Sequence, residues 1–127
     1  MESTADKRPP VWIGHVFMPV VDVKASAAFM RKFGMREIFE AEDIAILELR
    51  GGTHLLLRPT PDHIAPDTVA PFDLMVDDLE SSREWFESLE LTPSVIKEDS
   101  FHQSFTIRDP SGYAITVNSS HVSNNPV

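Results

Sequence analysis

"GHVFMPVVDVKASAAFMRKFGM" fills positions 14–35, and "FDLMVDDLESSREWFESLEL" fills positions 72–91. Both read as a β-rich run, an Asp, an amphipathic helix and a close. Alternating apolar residues in a Val/Phe/Met-rich run predict a strand. Asp22 and Asp78 can each accept a backbone N–H at a helix start. Gly34 suits the residue after the first helix, because glycine adopts the left-handed conformation without steric cost. Aligning Asp22 with Asp78 gives an offset of 78 − 22 = 56. The same offset pairs Val20 with Val76, Val23 with Leu79, Ser26 with Ser82, Phe29 with Trp85 and Met30 with Phe86. The chain is therefore read as two copies of one unit.

Working outward, each copy continues with three more strand-like runs. In the first copy these are 35–42, 44–50 and 53–59, broken at Glu42-Asp43 and at the hairpin pair Gly51-Gly52. In the second they are 94–99, 103–109 and 113–120, with the turn "DPSG" at 109–112. The expected organisation is a first βαβββ unit at 11–58, a Pro-rich linker at 59–69 and a second unit at 70–119. Flexible ends are expected at 1–10 and 120–127. The fold class is α+β, a single domain of 127 residues.

Composition narrows the function. A net charge of −9 and a pI near 4.8 disfavour a nucleic-acid partner, which needs Lys and Arg to neutralise phosphates. There is no Cys, so thiolate chemistry and disulfides are excluded. No apolar run has the roughly 18 residues of a membrane span. The polar start "MESTADKRPP" does not read as a signal peptide, so the expected location is cytoplasmic. No Gly-rich phosphate loop, G-x-S-x-G or H-E-x-x-H stretch occurs.

Strand parity sorts the side chains into faces. His15 and Phe17 share one face of the first strand, with Val16, Met18 and Val20 on the other. His54, Leu56 and Arg58 oppose Leu55 and Leu57. Pro71, Asp73 and Met75 oppose Phe72, Leu74 and Val76. Ala114, Thr116 and Asn118 oppose Ile115 and Val117. The more apolar face is expected to pack on the helices. The other face is polar enough to bind a ligand.

Two tandem βαβββ units, the first opening on "GHVFMPVVDVKASAAFMRKFGM" and the second closing on "FTIRDPSGYAITV", resemble the vicinal oxygen chelate superfamily. This is the group of glyoxalases, extradiol dioxygenases, epimerases and bleomycin-resistance proteins. The resemblance covers about 11–119. It implies two curved mixed sheets forming a cup, helices outside, and a divalent metal held from the first and last strand of each unit. The four metal positions then fall on His15, Leu56, Pro71 and Thr116. Leu and Pro carry no donor atom and a Thr hydroxyl is a weak ligand. An open site needs about three N or O ligands, so no metal and no other cofactor is expected. An irregular set of His15, His54 and Asp73 is the alternative.

The residues expected to touch a ligand are His15, Phe17, His54, Arg58, Asp73, Met75, His102 and Thr116. An Arg58–Asp73 ion pair is an equally simple use of those two charges. His15 and Asp73 are the candidates for acid–base roles, since imidazole titrates near neutral pH. Asp22 and Asp78 read as caps, and Phe29, Phe33, Trp85 and Phe86 as core. His63 falls in the linker and His121 in the tail. The expected function is small-molecule binding in a homodimer, as in the bleomycin-resistance branch. The alternative is a lyase, isomerase or dioxygenase reaction of the same superfamily.

Overall fold

The computed structural model describes residues 6–127; the first half of the end expected to be flexible lies outside them. The first unit runs β1 (His15–Val20), α1 (Val23–Lys32), β2 (Arg36–Glu40), β3 (Ala45–Glu48) and β4 (His54–Pro59). The second runs β5 (Leu74–Val76), α2 (Leu79–Ser88), β6 (Lys97–Glu98), β7 (Gln103–Arg108) and β8 (Ala114–Ser119). Each unit folds into its own four-stranded mixed sheet, in the orders β1-β4-β3-β2 and β5-β8-β7-β6. The α+β class and the doubled βαβββ plan are as the sequence reads.

The helices start where their carboxylates cap them. Asp22 accepts from the Ala25 amide and Asp78 from the Ser81 amide, each satisfying a donor that no helical carbonyl reaches. Within each unit the helix packs on one face of its sheet and leaves the other face open. Met18, Val20, Leu55 and Leu57 are buried on the helix side of the first sheet, and Ile115 and Val117 on that of the second. These residues join one continuous core drawn from both units. Ring contacts carry the core across the seam, with Phe33 to Phe86 at 5.1 Å and Phe86 to Phe105 edge-on at 5.5 Å.

The units therefore meet through their helix sides. Phe17 on one open face stays 62 % exposed and Met75 on the other 45 %, so neither face is roofed by the other half of the chain. Several details differ from the sequence reading: β5 begins at Leu74, leaving Pro71, Phe72 and Asp73 before the strand, and Trp85, read as core, is 46 % exposed. β1 begins at His15 rather than position 11, and β6 keeps only Lys97 and Glu98 of the run at 94–99. In that run Ser94 turns inward instead. Its amide donates to the Thr106 carbonyl, while its hydroxyl accepts from the Thr106 amide, so the ladder with β7 cannot continue.

A buried polar connection joins the halves, besides the exposed Arg50–Asp77 ion bridge. Ser26 on α1 donates to the Asp109 carboxylate at 2.8 Å, the Val21 amide donates to the Ser111 hydroxyl at 2.9 Å, and the Tyr113 hydroxyl donates to the Pro19 carbonyl at 2.7 Å. The "DPSG" turn is thus more than a hairpin loop. It fastens the second unit to the start of α1.

Candidate functional site

The parallel register of β1 on β4 puts His15 directly beside His54, and Phe17 beside Leu56. The antiparallel register of β3 on β4 adds Glu48 beside His54. The open face of the first sheet therefore carries a row His15, His54, Glu48, with Phe17, Leu56 and Ile46 in the next row. The His15 ring centroid lies 6.2 Å from that of His54 and 6.0 Å from that of Phe17. His54 Nε2 stands 3.0 Å from the Glu48 carboxylate. A carboxylate can only accept, so Nε2 carries the proton in this bond, and Nδ1 of the neutral ring keeps its lone pair. Arg36 donates to the same carboxylate from the outer strand. The His54 bond, reinforced by Arg36, holds the Glu48 carboxyl below its ordinary range.

On the open face of the second sheet β5 and β8 present uncharged side chains, with Asp73 before β5 and Arg108 on β7 as charges beside them. Asp73 precedes β5 and is exposed, Met75 pairs with Asn118, and Thr116 pairs with Thr106. Asn118 is 4 % exposed, and its side-chain oxygen has no hydrogen-bond partner among the described residues. Such groups are uncommon, because a buried polar atom without a partner costs free energy.

The structure brings His15, Phe17 and His54 together on one sheet, and Asp73, Met75 and Thr116 near one another on the other. It does not bring Arg58 to Asp73. Arg58 lies in the first sheet and Asp73 just before β5 of the second, and neither makes an ion pair or side-chain hydrogen bond among the described residues. Arg50 pairs with Asp77 and Arg108 with Asp67 instead. His102 lies where β7 begins, away from the β5 edge of its sheet. Its Nδ1 is 3.0 Å from the Asp99 carboxylate, and its ring packs edge-on against His121 at 5.6 Å. The Asp99 carboxyl is held below its usual range, first by the Phe101 and His102 amides.

Glu48 and Asn118 belong to this surface and were not among the sequence-derived site residues. The alternation of "AILE" would have turned Glu48 to the same face as His54, given the pairing of β3 with β4. For Asn118 the parity was legible, whereas its burial was not.

A family-type metal would draw ligands from the positions of His15, Leu56, Pro71 and Thr116, and that donor set does not fit. Only His15 offers a strong ligand. Among the described residues no group of three or more His, Asp or Glu stands together to hold an ion. The irregular set of His15, His54 and Asp73 is not assembled within one chain.

The sequence profile described as Glyoxalase/Bleomycin resistance protein/Dioxygenase superfamily matches residues 12–117. Among solved structures, the fold is similar to a lactoylglutathione lyase from Agrobacterium tumefaciens. That likeness has a TM-score of 0.71 and 23 % identity, over 89 % of this chain and 96 % of that one. It is also similar to a bleomycin resistance determinant encoded on the transposon Tn5, with a TM-score of 0.71 and 19 % identity over 88 % of this chain and 100 % of that one. A bleomycin-binding protein in complex with bleomycin gives a TM-score of 0.69 and 19 % identity, over 87 % and 99 % of the two chains. Comparison with the sequences of curated proteins gives no match.

Proposed function

The chain belongs to the glyoxalase/bleomycin resistance protein/dioxygenase superfamily, and from that premise we propose that it binds a small, partly apolar organic molecule without a family-type metal. The binding surface is the pair of open sheet faces. His15, Phe17, His54 and Arg58 supply one wall, and Asp73, Met75 and Thr116 the other. The observation that carries this reading is Phe17: a large aromatic side chain left 62 % exposed beside the His15 imidazole, on a face that the described residues leave open. Exposed apolar surface rimmed by polar groups marks a binding site. The two open faces of one chain are not roofed by each other, so a homodimer with two-fold symmetry would complete each cup from two chains. A similar protein holding bleomycin supports the ligand class.

The test is a thermal-shift screen of small organic molecules, followed by sedimentation. A ligand that binds only the folded state raises the melting temperature. A confirmed binder should lose its effect with Phe17→Ala and with His15→Ala. A binder that shifts both variants as it shifts the parent protein refutes the surface. A monomer at tens of micromolar refutes the shared cup.

A catalytic reading has one observation in its favour. Glu48 orients His54 and leaves its Nδ1 with a lone pair beside His15. A carboxylate-held imidazole is the arrangement of a general base. On that reading His54, rather than His15 with Asp73, takes the proton. Turnover of a confirmed ligand that is abolished by His54→Gln would establish it.

A further inference from the structure

The two hairpins before β4 and β8 are built alike. The Leu49 amide donates to the Thr53 carbonyl at 2.9 Å and the Gly52 amide to the Leu49 carbonyl at 3.0 Å. The Asp109 amide donates to the Tyr113 carbonyl at 3.1 Å and the Gly112 amide to the Asp109 carbonyl at 2.9 Å. Gly52 and Gly112 hold matching φ values of 93° and 102°. The hairpins thus correspond in their closing hydrogen bonds at an offset of 113 − 53 = 60, and differ within the turn, where Gly51 has φ 86° and its counterpart Ser111 does not adopt a positive φ. The strand registers agree, since Pro19 pairs with Arg58 as Met75 pairs with Asn118.

The seam between the halves accordingly has two equivalent corners. At the first, the hairpin of the second unit presents Asp109 to Ser26, Ser111 to the Val21 amide, and the Tyr113 ring to the Pro19 carbonyl. At the second, the equivalents of these partners are Ser82, Asp77 and Met75. The hairpin that faces them offers Leu49, Gly51 and Thr53. The carboxylate, the hydroxyl and the phenol ring are all missing. What remains is a crevice of about 210 Å³ whose apolar walls include Val16, Leu49, Leu55 and Phe72, with Thr53 and the charged Arg50 and Asp73 also lining it. It adjoins a groove of about 710 Å³ that reaches Met75, Ser82 and Trp85. Arg50 and Asp77 form a paired, exposed ion bridge beside it.

We propose that this second corner, on the seam side of β5 and bordering the open face at Asp73 and Met75, is a binding site for a small para-substituted phenol. The ring would take the place that Tyr113 takes at the first corner, its hydroxyl donating to the Met75 carbonyl and its substituent running into the wider groove. Met75 lies on the edge strand of its sheet, so outward carbonyls there have no strand partner. The crevice is below the roughly 300–1,000 Å³ of drug-sized pockets and on the scale of one ring. A second copy of the chain cannot supply the phenol, because the chain has a single Tyr, and Tyr113 is already buried in the first corner.

The experiment titrates ¹⁵N-labelled protein with 4-ethylphenol and, in parallel, with 4-ethylanisole, which lacks the donor hydrogen. Saturable shifts at the Thr53, Phe72 and Met75 amides are expected with the phenol. The anisole should bind at least tenfold more weakly, and Phe17 and Thr116 should stay unmoved. Thr53→Tyr, which restores the ring of the other corner, should abolish phenol binding and raise the melting temperature. Leu49→Phe narrows the crevice from another wall and should weaken binding if Thr53→Tyr does not fold. Absence of saturable shifts up to the solubility of the phenol, equal binding of the anisole, shifts centred on the open faces, or undiminished binding in a folded Thr53→Tyr protein would each overturn the site.

Discussion

Ser26 and Asp109 are 83 residues apart in the chain, yet the Ser26 hydroxyl donates to the Asp109 carboxylate at 2.8 Å. Asp109 is 4 % exposed and also accepts from the amides of Ser111 and Tyr113. A buried carboxylate persists only when its lone pairs are used in this way. Asp109→Ala leaves three donors without an acceptor and should cost roughly 3 kcal/mol. Asp109→Asn keeps an oxygen for the two amides and a nitrogen for the Ser26 hydroxyl, and should cost less. Urea unfolding of the two variants checks the order.

Tyr113 should reveal itself at alkaline pH. Burial first, and then the neighbouring Asp109 charge, push its phenol above the ordinary tyrosine value. The neutral phenol is therefore favoured by folding. Its contribution is fully present below the unfolded-state value of about 10, and is lost as pH rises through the higher folded-state value. Tyr113→Phe removes the bond to the Pro19 carbonyl and should cost about 1 kcal/mol at neutral pH. The variant should also lose this alkaline decline. Melting temperatures taken across the alkaline range test both parts.

Glu48 gives the opposite sign. Its carboxyl is held low by His54, and secondarily by Arg36. Its stabilising effect is present above the unfolded-state value near 4.3 and fades as pH falls through the lower folded-state value. Glu48→Gln should flatten the acid limb of the stability profile by lowering the neutral plateau a little, the drop being small because the pair is partly solvent-screened. Denaturant midpoints at stepwise lower pH make the measurement.

Phe17 and Met18 are chain neighbours on opposite faces. Met18 is buried in the core, so Met18→Ala should cost about 2–5 kcal/mol. Phe17→Ala should cost far less stability, since most of the ring already meets water. It should instead weaken any ligand held on the open face. Parallel melting and binding curves separate the two outcomes; a Phe17→Ala loss of stability as large as that of Met18→Ala would refute the face assignment.

The doubled plan was legible in the sequence because helices and strands repeat their own periods. Met30 and Phe86, paired by the offset of 56, are both buried. Parity likewise separated Leu55 and Leu57 from His54. What parity cannot give is how two sheets sit relative to each other. The sequence therefore allowed an Arg58–Asp73 pair, which helix-side packing of the two units does not form. It also could not show that Glu48 meets His54, since strand pairing is a long-range fact. The four-residue difference between the helix offset and the hairpin offset falls beyond α2. There the chain turns Ser94 inward, and β6 shrinks to two residues.

The fastening of Ser26 to Asp109 also has a consequence in time. Each βαβββ unit can pair its strands within about fifty residues of chain, whereas this contact must wait until both units exist. Contacts of high sequence separation that form after the rate-limiting step leave the folding rate alone and set the unfolding rate. Ser26→Ala should then steepen escape from the native state several-fold while refolding proceeds at nearly its original speed. Stopped-flow chevrons would show one arm displaced and the other in place. The polar corner thus acts as a clasp on the lifetime of the folded chain rather than as a guide to reaching it.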